Sequence, residues 1–256
     1  MTIAPISRSV PYSKLRPQLG TGDLFFLHGT SGAGVMIERL EEAEGWPPYS
    51  HVGMVIRDGD DLYFWDAPGG GDCFPDPYTT DPDNREYGES VHTGCRVAVL
   101  DDVLAYYATK VDQPGFWARQ LKPAVSKDRF LALRRFVNRV DGLPFPEGIG
   151  PEPEVTGLGL NWALGQERGS ALYGTYFCSQ LVADSYMHMG LLQMEVYPPN
   201  GYSPATFGMN DPTRLRLVPP ATLGDVIFVQ WDRPTGSGEP CPQDPPQPRA
   251  STPPGR

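Results

Sequence analysis

Ser50-His51-Val52-Gly53-Met54-Val55-Ile56, followed by Arg57-Asp58-Gly59-Asp60-Asp61 and then Leu62-Tyr63-Phe64-Trp65-Asp66-Ala67, is the stretch whose reading decides the fold. The first run is apolar and β-branched enough for a strand, and so is the third. The polar cluster between them, with a glycine at its centre, is turn chemistry. Together they predict an antiparallel hairpin. A hairpin folded about Asp58–Asp61 brings His51, at its start, beside Asp66, at its end. Period-two arithmetic groups His51 with Gly53 and Val55, and Asp66 with Phe64 and Leu62. Only the register decides whether both groups share one side of the sheet. If they do, the carboxylate can accept a hydrogen bond from the imidazole and fix its tautomer.

The second informative stretch is Tyr176-Phe177-Cys178-Ser179-Gln180-Leu181-Val182-Ala183-Asp184. Leu181, Val182, Ser185 and Tyr186 recur at helical spacing, and Gly190 supplies a stop. Cys178 therefore falls in the first turn of a helix. The partial positive charge at that end favours a thiolate. A lone cysteine there reads first as a small buried hydrophobe. A histidine and a carboxylate elsewhere in the chain turn it into a candidate nucleophile with a base and an orienting group.

Composition bounds the rest. The chain has 256 residues and a formal net charge of −10. That balance argues against nucleic acid as a partner. Cys73, Cys95, Cys178 and Cys241 are widely spaced, without a C-x-x-C pair, so neither a zinc ribbon nor a dense disulfide framework is expected. A Cys73–Cys95 bridge stays open. No cofactor and no metal are expected. The first 20 residues lack an apolar core of signal-peptide length, and no run of transmembrane length occurs. The expectation is a cytoplasmic protein with no transmembrane segment; its oligomeric state is not legible.

Outward from the hairpin, Leu24-Phe25-Phe26-Leu27 reads as a buried strand. His28–Gly34 is glycine-rich but lacks the order of a phosphate loop. Residues 35–43 read as a short helix. Arg96–Leu100 is a further strand, Asp101 a cap for a helix over 102–110, and Phe116–Leu121 another strand. Ser126 caps a helix reaching Val140, with an apolar stripe of Phe130, Leu133, Phe136, Val137 and Val140 and a stop at Gly142. Leu215–Val218 and Val226–Trp231 are the last strand candidates. The domain expectation is an N-terminal arm over 1–19, one domain over 20–232 interrupted by long loops at 68–95 and 142–170, and a disordered proline-rich tail over 233–256. His92, in the first loop, is a rival base that no strand fixes.

Four blocks carry a resemblance: Gly22-Asp23-Leu24-Phe25-Phe26, Ser50-His51-Val52-Gly53-Met54-Val55, Asp66-Ala67 and Phe177-Cys178-Ser179-Gln180-Leu181-Val182. In that order they resemble the circularly permuted NlpC/P60 superfamily, and within it the YiiX/YebB-like cysteine hydrolases. Those share a papain-like core with lecithin–retinol acyltransferase-type proteins. The resemblance runs over about residues 20–231. It implies an α+β fold in which an antiparallel sheet or barrel packs on helices. It implies Cys178 as nucleophile and His51 as general base. Asp66 falls where the family has a polar orienting residue, commonly Glu, and Gln180 where Glu is common.

The chemistry implied is acyl transfer through a thioester, with the Cys178 backbone N–H as an oxyanion donor. The substrate would be a peptide amide or a lipid acyl group. Tyr176, Gln180 and Trp65 are the expected substrate contacts. An inactive binding module on the same fold is the alternative.

Overall fold

The computed structural model describes residues 6–28, 39, 42, 49–69, 94–109, 115–145, 174–194 and 198–233. Its centre is a sheet of strands β1 (Ile6–Pro11), β2 (Leu24–Leu27), β3 (His51–Asp58), β4 (Asp61–Asp66), β5 (Arg96–Val99), β6 (Gly115–Arg119) and β9 (Val226–Gln230). The order across the sheet is β1-β9-β6-β2-β3-β4-β5. Only β1 and β9 run parallel; every other neighbouring pair is antiparallel. A two-stranded ribbon of β7 (Leu121–Lys122) and β8 (Thr222–Leu223) stands beside it.

Helices cover both faces, which is why β2 is apolar at every position. Leu24 and Phe26 join the core under α3 (Lys127–Val140) and α4 (Cys178–His188), while Phe25 and Leu27 join the core under α1 (Tyr12–Leu15) and α2 (Leu100–Ala108). The helix stops act as read. Gly142 and Gly190 both hold positive φ just past their helices, a conformation glycine adopts without steric cost. Ser126 accepts a hydrogen bond from the Arg129 N–H at 3.4 Å. Leu133, Phe136, Val137 and Val140 are buried. The fold is α+β with a large, mostly antiparallel sheet packed against helices.

Three expectations change. Residues 6–19, read as an arm, provide β1 and α1, and Tyr12, Leu15 and Leu19 are core residues. Proline and short length hid them. The helix after β5 begins at Leu100, two residues earlier than read, so Asp101 sits inside it rather than capping it. Its carboxylate accepts instead from Tyr12 (2.7 Å) and Arg16 (3.0 Å). Around Leu215–Val218 the structure has a single bridge, Leu192 to Leu217, and no strand. Among the described residues no helix is long and apolar enough to cross a membrane. The 35–43 helix falls almost wholly outside the described residues. So do most of the two long loops, including His92, and all but the first residue of the tail.

Candidate active site

The hairpin register answers the question the sequence left open. Met54 pairs with Trp65, Val55 with Phe64 and Asp58 with Asp61. Continued along the strands, this sets Asp66 across from Gly53. His51, Gly53 and Val55 therefore share a face with Asp66, Phe64 and Leu62. His51 and Asp66 meet on the diagonal at the end of the hairpin, with His51 Nε2 2.9 Å from Asp66 Oδ2. A carboxylate can only accept, so Nε2 carries the proton and Nδ1 is left for another partner. Gly53 makes room for the ring of Phe64, which a Cβ there would strike. That ring meets His51 edge-on at 6.3 Å between centroids.

Asp66 is fully buried at the end of β4. Its cross-strand partner on β5 is Arg96. The guanidinium is 2 % exposed and donates from Nε to Oδ1 at 3.0 Å and from Nη2 to Oδ2 at 3.3 Å. Burial alone would raise the pKa of Asp66. The charges of Arg96 and His51 and their hydrogen bonds reverse that and hold it below the usual carboxylate value.

Cys178 opens α4, with Phe177 as the residue before the first turn. The helix packs against β3 and β4 and delivers the thiol, 6 % exposed, to the strand end where His51 lies. The sulfur and the imidazole share a side-chain hydrogen bond and a charge interaction. Burial would raise the thiol pKa. The His51 charge, the hydrogen bond to it, and the backbone N–H groups of Val52 and Ser179 outweigh burial and lower it. For His51 burial pulls down, while the Cys178 charge and the Asp66 hydrogen bond lift its pKa to about 10. Sulfur, imidazole, carboxylate and guanidinium thus form one buried chain of side-chain contacts. The Tyr107 ring of α2 lies nearly parallel to the imidazole, 6.4 Å between centroids at 12°.

The three expected substrate contacts fare differently. Trp65 is fully buried, and its indole N–H donates to Ser185 Oγ at 3.0 Å. It is core between β4 and α4, which corrects its reading as a substrate contact. Tyr176 is half-buried and its hydroxyl donates to Asp184 Oδ2 at 2.7 Å. Gln180 is buried, and its Oε1 has no hydrogen-bond partner among the described residues. Sequence reasoning missed Arg96 and Tyr107. The signal for Arg96 was present: a charged residue opening the apolar run Arg96-Val97-Ala98-Val99 needs a buried anion to face. Cys95 is a free, buried thiol, and burial with nearby carboxylates raises its pKa. Among the described residues no group of three or more His, Cys, Asp or Glu side chains has the arrangement of a metal site.

Comparison with known proteins adds little. No protein-family model matches the chain, and no curated protein matches it. Among solved structures it is similar to the crystal structure of the metalloprotein yiiX from Escherichia coli O157:H7, at 14% identity and a TM-score of 0.40. The match covers 87% of this chain and 94% of that one. At that score the likeness is too weak to bear on the chemistry.

Proposed function

We propose that the chain is a cysteine-dependent hydrolase or acyltransferase on a permuted papain-like core of the NlpC/P60 kind. It acts on a peptide amide or a lipid acyl group. Cys178 is the nucleophile, His51 the acid and base, and Asp66 the group that orients the imidazole. The observation that carries this reading is the 2.9 Å His51–Asp66 contact at the strand end where α4 presents Cys178.

The steps follow from the charges. With the thiol pKa lowered and that of the imidazole raised, the resting pair is thiolate and imidazolium. The Cys178 sulfur attacks the carbonyl carbon, and the carbonyl π electrons move onto oxygen. The first N–H groups of α4 lack intrahelical acceptors, so the Cys178 N–H can donate to that oxyanion. When the tetrahedral adduct collapses, the bond to the leaving amine or alkoxide breaks. His51 gives that group its Nδ1 proton. A thioester remains on Cys178. Water or another acceptor then attacks it, with neutral His51 taking the incoming proton and the thiolate leaving.

The test is incubation with an activated acyl-chain probe and, separately, with a short muropeptide, followed by mass spectrometry of the Cys178 peptide. An adduct on Cys178 from one of them, absent in His51→Gln, is the expected result and names the substrate class. No adduct from either, with Cys178 alkylating like an ordinary thiol, points to a binding module and overturns the reading.

A further inference from the structure

Arg96 opens β5, whose next two residues, Val97 and Ala98, pack into the two cores on either side of the sheet. Arg96 itself is buried with its guanidinium forked on both oxygens of Asp66, and Asp66 Oδ2 is the atom that holds His51 Nε2. We infer that Arg96 is a positioning residue: its fork fixes the Asp66 carboxylate in the orientation that grips the imidazole, and its charge keeps that carboxylate ionised beside His51. The inference rests on the reading proposed above and names a fourth member of that site.

Thiolate, imidazolium and carboxylate alone sum to one buried negative charge, and Arg96 brings the set to zero. Without it, one of two things happens. Asp66 stays ionised and its field disfavours a second anion on sulfur, or Asp66 takes a proton and stops stabilising imidazolium. Both raise the pH at which Cys178 ionises. Lysine would restore charge but not the planar two-pronged contact.

Iodoacetamide alkylation of the full chain, followed on the Cys178 peptide by mass spectrometry from about pH 5 to about pH 10, reads this directly. Arg96→Met should raise the midpoint by about one unit and slow alkylation near pH 6 about tenfold, with Arg96→Lys in between. An unchanged midpoint in folded Arg96→Met overturns the inference. Should Arg96→Met fail to fold, the pair Asp66→Asn and Asp66→Asn/Arg96→Met decides, because the double variant leaves no uncompensated buried carboxylate. If Arg96 acts through Asp66, their alkylation rates agree within about twofold; a further tenfold loss in the double variant puts Arg96 on the thiol directly and overturns it. The parent reading fails separately. Wild-type Cys178 that titrates as an ordinary thiol and ignores His51→Gln sinks that reading, and the role of Arg96 with it.

Discussion

Each end of the central sheet buries one aspartate and one arginine. At the end away from Cys178 these are Asp23, just before β2, and Arg119, at the close of β6. At the other they are Asp66 and Arg96. All four are at most 3 % exposed. Asp23 and Arg119 are not an ion pair. Asp23 accepts from the backbone N–H groups of Gly20 (2.9 Å) and Leu121 (2.8 Å). Arg119 donates to the carbonyls of Gly224, Phe207, Met209 and Leu223 and to Asn210 Oδ1, at 2.6–3.2 Å. Asp66 and Arg96 answer each other and, through His51, the thiol. Backbone and amide partners do not exchange protons, so the hydrogen bonds at the first end fix chain geometry. Side-chain partners that titrate make the second end able to move protons. Burial of charge by itself does not mark a site; the kind of partner does.

Breaking one end at a time should separate the two roles. His51→Gln carries the largest expected effect: Cys178 alkylation near pH 6 should fall by roughly a hundred-fold or more, as expected for losing the group that stabilises the thiolate. Its thermal melt should move little by comparison. Next in size is Arg119→Met, which strips partners from four carbonyls and an amide oxygen. It should cost roughly 3 kcal/mol or more in urea unfolding, while the alkylation midpoint of Cys178 in the folded protein stays put. A shift of that midpoint by Arg119→Met would dissolve the distinction between the ends.

The two aspartates also predict opposite responses to acid. Burial raises the pKa of Asp23 from 3.8 to about 6, against the pull of its backbone hydrogen bonds. The folded state therefore holds that proton more tightly than the unfolded chain does. Its ionisation opposes folding at neutral pH by about 3 kcal/mol, a penalty relieved as pH falls from about 6 to about 4. Asp66 is shifted down, so its contribution is present at neutral pH and lost as pH falls through its folded-state pKa. Asp23→Asn should flatten the gain between about pH 6 and about pH 4 in a series of urea melts, and Asp66→Asn should blunt the loss at lower pH. Parallel curves for wild type and Asp23→Asn would contradict the assignment at the far end.

How much of this was legible depended on whether the signal was local. The β3–β4 hairpin, β2, α3 with its Ser126 cap, and α4 with Cys178 at its start were readable because apolar period and turn chemistry lie within one short window. The approach of His51 to Asp66 followed from the hairpin, but its face required a register that only the packing of Val55 and Phe64 fixes. Which anion Arg96 faces was not legible, because β5 joins β4 across a long intervening segment. β1 was missed because a parallel edge strand that pairs with β9, more than two hundred residues on, leaves no nearby trace. Trp65 was misassigned because an aromatic residue in a strand shows its side only once the register is known.

Two glycines, one per end, give the smallest and most local test. Gly53 lies beneath the Phe64 ring, and Gly22 holds a φ of 93° in the turn that leads into Asp23. Alanine at either position should destabilise by roughly 1–3 kcal/mol, from overpacking against Phe64 in one case and against the Leu121 side chain plus backbone strain in the other. The stability losses are alike, but the consequences differ. The Phe64 ring displaced by Gly53→Ala is the one in edge contact with His51, so the imidazole must move with it. Cys178 alkylation near pH 6 should then slow several-fold in Gly53→Ala and stay at the wild-type rate in Gly22→Ala, both measured well below the melting temperature. Equal slowing in the two variants would mean that loss of stability anywhere in the sheet disturbs the thiolate, and the two ends would no longer be separable.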